Sequence, residues 1–268
     1  MRARALDAAH LARPVLRLVR MPTCIYNREP TTGNEPEEHP IPEALGGREA
    51  LPRGAVCAEC NAYVSDLDQA LRTHTHIAWF LVLAGVPGKG GKVRRQLAWG
   101  PEGVAEYDIK TGDLLFAPKP GYVQATEHSI AITHPASVFN DWKFSRALHK
   151  IALGVRALRQ GVEVALDPRF DEVRTYVRRP ASRRVFRSRY HRFGEFAAPT
   201  ATPCDAIAVI GTLEAFYICI GMDEFVVALA GDVSRLAISD LDALARTARG
   251  ADDGKARTRW ALEGPDTK

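Results

Sequence analysis

The sequence predicts an α+β protein, and three stretches carry that prediction. Residues 24–72 run from a cysteine turn through two short extended segments to a second cysteine turn and a helix. In residues 137–160, Phe144, Ala147, Leu148, Ile151, Val155 and Leu158 recur at helical spacing. In residues 206–230, three apolar runs are separated by glycine, which is the pattern of an antiparallel meander. The first stretch is too short to be more than a small module. The chain therefore divides into an arm (1–22), a module (23–73) and a larger mixed α+β accessory domain (74–268).

Composition sets the class. Hydrophobic residues make up 46% of the 268 positions and charged residues 25%, the balance of a protein with a sizeable core. No apolar run approaches the roughly 18 residues that a membrane span needs. Arg2, Arg4, Arg13, Arg17 and Arg20 interrupt the N-terminal apolar residues, unlike a secretory signal. A cytoplasmic location and no membrane partner are the expectation. Three of the five cysteines fall within the first 60 residues at turn spacing, which in a reducing compartment favours metal over disulfides.

The remaining elements follow in order. Residues 1–21 read as a short helix or an arm. Glu38–Ile41 and Ala55-Val56 read as short strands on either side of the Gly46-Gly47 turn. Tyr63, Val64, Leu67 and Leu71 give a helix its inner face. His76–Val86 is apolar and buried, and the glycine-rich stretch 85–91 is a boundary. Strand-like segments follow at Gln96–Trp99, Val104–Ile109, Leu114–Phe116 and Ser129–Thr133, with Lys110-Thr-Gly112 as a hairpin turn. Ser137 opens the long helix and Gly161 stops it. Asp167–Val177 reads as a further helix. The strands Ala206–Ile210, Ala215–Ile220 and Phe225–Ala230 follow, then a helix over Ser239–Arg249 and a polar tail.

The chemistry concentrates in the module. Cys24-Ile-Tyr-Asn27 and Cys57-Ala-Glu-Cys60-Asn61 are knuckle turns. Two such turns can place thiolates on one zinc ion at about 2.3 Å. Cys24, Cys57 and Cys60 are good ligands, whereas Asn27 at the fourth position is a neutral, hard amide. Structural zinc and a zinc-free knuckle held by packing are both open. Between the knuckles lies Glu38-His39-Pro40. Histidine suits deprotonation of a water because it is largely neutral near pH 7. A hard divalent ion suits the leaving oxygen, and Glu38 and Asn61 could supply oxygen ligands to Mg²⁺ or Mn²⁺. Asp68 shares a helix face with Asn61 and Ser65. It reads as a carboxylate behind the site or as part of a solvated face. His74 and His76 read as linker residues.

The ordered set Cys24…Glu38-His39-Pro40-Ile41-Pro42-Glu43-Ala44-Leu45-Gly46-Gly47…Cys57-Ala58-Glu59-Cys60-Asn61 resembles the HNH endonuclease superfamily. It looks most like the branch with Glu-His-x-x-Pro, Gly-Gly and a closing Cys-x-x-Cys-Asn. The resemblance covers about fifty of the 268 residues. It implies a ββα-metal fold for the module, with His39 as general base and Glu38 and Asn61 as ligands of the catalytic ion. It also implies Cys24, Cys57 and Cys60 as zinc ligands, and products with 5′-phosphate and 3′-hydroxyl ends. The sequence departs from the pattern at Asn27, where the branch has cysteine, and at Leu51–Gly54, where a middle asparagine is common.

A basic segment follows the long helix. Arg174, Arg178, Arg179, Arg183, Arg184, Arg187, Arg189 and Arg192 fall within nineteen residues that contain no Asp or Glu, interleaved with Tyr176, Phe186, Tyr190, His191 and Phe193. Arginines pair with phosphate and aromatics stack on bases, so Arg178, Arg179, Arg183, Arg184, Arg187 and Arg189 are candidate nucleic-acid contacts. A solvated face with acidic partners from elsewhere in the chain is the alternative. Lys143, Arg146 and Lys150 read as a solvent-facing stripe on the long helix. The expected function is a metal-dependent endonuclease acting on nucleic acid, with DNA as the expected polymer. A nucleic-acid-binding protein with a catalytically decayed module is the alternative.

Overall fold

The computed structural model describes residues 21–74, 77–78, 80–81, 84–87, 96–98, 103–107, 114–118, 123–125, 130–132, 141–179, 184–190, 200–221, 223–249 and 260–263. The molecule is α+β, with helices packed on antiparallel sheets. The expectations for the N-terminal arm, the Lys110-Thr-Gly112 turn, Arg183 and Arg192 lie outside the described residues. No helix among the described residues is long and apolar enough to cross a membrane.

Helix α1 spans Ala58–Thr73, and Val64, Leu67 and Leu71 are buried as the periodicity predicts. Tyr63 departs from that prediction and is 40% exposed. Helix α2 spans Asp141–Gln160 and ends before Gly161, whose positive φ an L-residue would resist. A short helix α3 (Val162–Ala165) and a 3₁₀ turn (Pro168–Phe170) lead into α4 (Asp171–Arg178). Strands β1 (Gln96–Ala98), β2 (Gly103–Tyr107) and β3 (Leu114–Pro118) form one antiparallel sheet. Strands β4 (Val123–Ala125) and β5 (Ile130–Ile132) form a two-stranded one.

The main sheet has five strands in the order β10-β6-β9-β8-β7. They are β6 (Phe186–Tyr190), β7 (Thr200–Ile210), β8 (Leu213–Gly221), β9 (Asp223–Ala230) and β10 (Ala261–Glu263). The predicted meander is β7-β8-β9. Side chains alternate between faces, as a pleated strand requires. Phe216, Ile218, Ile220, Phe225, Val227 and Leu229 join the core on one side. Ala215, Tyr217, Cys219, Val226 and Ala228 join the core on the other. Helix α5 (Ile238–Arg249) covers the second side through Leu241, Leu244 and Ala245.

The first core is continuous from the cysteine turns through α1, α2 and α4 to the sheet, and includes Cys24, Ile25, Val64, Leu148, Val173 and Phe225. Helix α2 lies at its centre. Its predicted apolar face is buried, but so are Arg146, His149, Lys150 and Arg156. This corrects the reading of Arg146 and Lys150 as a solvent stripe, whereas Lys143 is exposed. Phe144 closes the layer with ring contacts to Phe186 and Phe225 at 5.6 and 5.2 Å.

The expected strands at Glu38–Ile41 and Ala55-Val56 are not formed. Residues 31–57 hold a 3₁₀ turn at Glu43–Leu45 and otherwise irregular backbone. Pro36, Pro40, Pro42 and Pro52 deprive the segment of the N–H donors that a ladder needs. Single bonds pin it instead, from Ile25 N to Ala55 O (2.9 Å) and from Leu51 N to Glu38 O (2.8 Å).

Candidate functional site

Each cysteine turn is shaped by its own hydrogen bonds, and the bond from Ile25 N to Ala55 O holds the two side by side. Cys24 N bonds Glu29 O, and Arg28 N bonds Cys24 O at 2.8 Å. Arg28 closes the turn with φ at 62°. Cys57 caps α1, and its sulfur accepts from Cys60 N at 3.4 Å. The result is a trio, Cys24, Cys57 and Cys60, whose sulfurs all lie within 4.8 Å of one another. Zinc–sulfur bonds of 2.3 Å set a tetrahedral edge of about 3.8 Å, so small adjustments bring the trio onto one ion. The group can hold a metal ion such as zinc.

Asn27 is not turned to serve as a fourth ligand. Its Oδ1 accepts from Glu29 N at 2.9 Å, which fixes the amide orientation because a backbone N–H can only donate. Its Nδ2 then donates to Cys57 Sγ at 3.4 Å. The asparagine thus contacts a cysteine sulfur from outside the ligand set. Within the trio, a hydrogen bond from the Cys60 thiol draws Cys24 down to about 5 against the effect of burial. The same contact, together with burial, pushes Cys60 up.

Glu38 and His39 sit on the pinned loop and have different fates. Glu38 is buried, and its Oε1 lies 2.5 Å from the ammonium of Lys150 on α2. Lys150 Nζ also donates to both oxygens of Asp68 on α1 at 3.1 Å and to His39 O at 3.3 Å. One fully buried cation therefore joins the loop, α1 and α2. Tyr26, from the first cysteine turn, adds a hydrogen bond to Lys150 O at 3.3 Å.

Lys150, Glu38 and Asp68 bring one basic and two acidic groups together. Burial disfavours the ammonium, but Asp68 and Glu38 outweigh it and hold Lys150 above its usual range. Asp68 is raised to about 6, by burial first and by Glu38 second, in spite of Lys150.

His39 keeps an accessible imidazole, with 25% of its side chain exposed. Its Nδ1 is buried without a hydrogen-bond partner. Its Nε2 lies 3.6 Å from Glu43 Oε1, too long for a hydrogen bond. The 3₁₀ turn holds Glu43 in place. At Gly47 a Cβ would stand 1.9 Å from Ile41 O, so the Gly-Gly pair is required by the tightness of the loop. At Gly154 on α2 a Cβ would stand 2.9 Å from Pro40 Cβ. Lys150 and Gly154, one turn apart, therefore set where His39-Pro40 rests.

Asn61 lies in the first turn of α1, half-buried, with its N–H on Cys57 O. Asp68 is seven residues further on, about 10 Å along the same face. The described contacts join Glu38 to Asp68 through Lys150. None among the described residues joins Glu38 to Asn61. Glu38 is already neutralised by an ammonium. The described residues therefore do not assemble the anionic oxygen cage that a hard divalent ion would find preformed. The cysteine trio is the only cluster of three or more His, Cys, Asp or Glu ligands among the described residues.

The arginines of the basic segment divide. Arg189 is buried against Glu224 (2.6 Å), its cross-strand neighbour on β9, and Asp242 (2.9 Å) on α5. It stacks on Trp260 with 4.5 Å to the ring centroid. Arg184 is buried, pairs with Glu172 at 3.0 Å and donates to Ala228 O. Arg187 is half-buried and donates to Ser234 O at 2.9 Å. This corrects the reading of Arg184 and Arg189 as nucleic-acid contacts, since the missing acids come from α4, β9 and α5. Arg178 is half-buried, Arg179 is exposed, and both line clefts beside the cysteine turns.

Lys150 and Gly154 carried no functional signal in the sequence. Glu43 could have been found from its spacing of four residues from His39. Lys150 lies more than eighty residues from Asp68, and only the fold joins them. Comparison with protein-family models, with curated proteins and with solved structures returns no match for this chain.

Proposed function

We propose that the chain is a phosphodiester hydrolase of the HNH endonuclease type, acting on nucleic acid with His39 as general base. In this reading residues 23–73 are the nuclease module and the α+β remainder carries and orients it. The observation that supports it most is the division of labour in the Glu38-His39 pair. The glutamate is sunk into a buried ion-pair network that fixes the loop, and the histidine retains an accessible ring beside a carboxylate. His39 Nε2 takes a proton from water, with the Glu43 carboxylate beside it at 3.6 Å. Lys150 holds the His39 carbonyl and so limits how far the ring can wander.

A hard ion is commonly held by one or two protein oxygens together with substrate phosphate. Mg²⁺ or Mn²⁺ arriving with the phosphate fits this surface better than a preloaded cage. Plasmid nicking by the full chain, with Mg²⁺ or Mn²⁺ and with EDTA, is the test. Metal-dependent nicking that disappears in His39→Ala is the expected result. The same background in both proteins refutes it.

A second reading has a specific observation in its favour. Lys150 neutralises Glu38, and Asn61 lies about 10 Å from Asp68 along α1. A nucleic-acid-binding protein with a decayed module would look like this. It predicts binding without cutting, unchanged by Glu38→Ala once folding is matched.

A further inference from the structure

Beside the cysteine turns lies a cleft of about 470 Å³ lined by Glu59, Cys60, Tyr63, Arg178 and Arg179. Arg178 and Arg179 continue into a neighbouring hollow of about 280 Å³ beside Asn27 and Arg28. Three features distinguish this place from an ordinary surface dent.

The first is Tyr63, a large ring left 40% exposed on a helix whose other large apolar side chains, Val64, Leu67 and Leu71, are buried. It is held fast from behind. The Arg146 guanidinium lies 5.3 Å from the ring centroid and donates to the phenol oxygen. Arg146 is itself buried and tied to the Tyr176 and Val177 carbonyls. The ring is a braced platform with an open face.

The second is charge. Arg28, Arg174 and Arg184 each face a carboxylate, on Asp171, Asp171 and Glu172. Arg178 and Arg179 pair with no carboxylate among the described residues. Consecutive uncompensated guanidinium groups at a concave rim suit phosphate. The third is polarity within the cleft, since Glu59 repels phosphate at its own end but can accept from an N–H on a base edge, such as N3–H of thymine or uracil.

We propose that this cleft receives one unpaired nucleotide of a single-stranded nucleic acid. The base stacks on the open face of Tyr63, and the flanking phosphates lie on Arg178 and Arg179. A base in a duplex has both faces covered and cannot use such a platform, whereas an unstacked base can. The volume is ample for one nucleotide and too small for a duplex segment. The proposal rests on reading the chain as a nucleic-acid protein, and it adds strandedness and a docking position.

The test is fluorescence anisotropy of the full chain with labelled oligo-dT, oligo-rU and a duplex of equal length, in EDTA so that cutting plays no part. Tyr63→Ala is expected to weaken oligo-dT binding roughly 5- to 100-fold, while Tyr63→Phe restores it and duplex binding changes little. The oligo-rU arm shows whether the sugar matters. Arg178→Ala with Arg179→Ala is expected to flatten the plot of log affinity against log salt by about 1.4, two single-strand phosphates' worth. Arg235→Ala, at an exposed site, is the control. Melting curves confirm that each variant is folded. Equal oligo-dT affinity for wild type and Tyr63→Ala, an unchanged salt slope, or no single-strand binding by wild type overturns the proposal. Binding without cutting in Mg²⁺ would sink the nuclease reading and leave the cleft standing.

Discussion

Replacing Lys150 with methionine probes the network that fixes His39. Methionine has nearly the same length but no charge and no donor. The substitution leaves Glu38 and Asp68 facing a space in which the ammonium stood 2.5 and 3.1 Å from them. Breaking a buried ion pair by removing one partner costs about 3–5 kcal/mol. At about 2–4 °C per kcal/mol for a chain of this size, the melting temperature should fall by about 6–20 °C at pH 8. The loss should be smaller at pH 5. Asp68 titrates near 6 in the fold against an ordinary 3.8, so between those values the fold binds a proton that the unfolded chain does not. That contribution is present at low pH and fades as the pH rises through about 6. Without the cation the folded value moves higher and the window widens upward. Glu38→Gln together with Lys150→Met should recover part of the loss, because one of the two orphaned charges is gone. Differential scanning calorimetry at both pH values reads the effect. A Lys150→Met protein melting within about 2 °C of wild type at pH 8 would mean that the ammonium does not occupy this site.

The other predictions use different handles. Gly154→Ala pushes a methyl against Pro40 and should cost about 1–3 kcal/mol while shifting the histidine loop. Cleavage should therefore fall further than thermal stability, as paired nicking and melting measurements would show. Arg189→Met removes one of the two cations that face Glu224, Arg249 remaining at 2.7 Å, and should destabilise by about 1.5–3 kcal/mol, with oligonucleotide affinity of the folded protein unchanged. A loss of affinity in anisotropy at matched folding would return Arg189 to the binding surface. Asn27→Cys places a thiol where an amide nitrogen now lies 3.4 Å from Cys57 Sγ. It should tighten zinc binding in a chelator competition and raise the melting temperature in zinc-replete buffer. No change in either would mean that the cysteine trio does not take zinc.

What could be read from the sequence was what is local. The cysteine turns follow from spacing within four residues. The inner face of α1 follows from Val64, Leu67 and Leu71, and the meander follows from glycine-separated apolar runs. What could not be read depends on distant partners. Lys150 looked like a solvated residue because a charge on a helix is usually outside. It is buried because two carboxylates from separate elements converge on it. Arg184 and Arg189 looked uncompensated because their acids lie on α4, β9 and α5. Glu38–Ile41 and Ala55-Val56 looked like short strands on either side of a glycine turn, but prolines had already removed the donors. Tyr63 fitted the helical face by spacing and yet sits at its exposed margin, braced by an arginine on α2.

Single-turnover cleavage of an end-labelled oligonucleotide in Mn²⁺ reads the chemistry proposed for His39. Wild type and His39→Ala are compared at equal folded fraction. A rate lower by about 10²- to 10⁴-fold is expected in the variant, the usual worth of a positioned general base. Equal rates in the two proteins would contradict it.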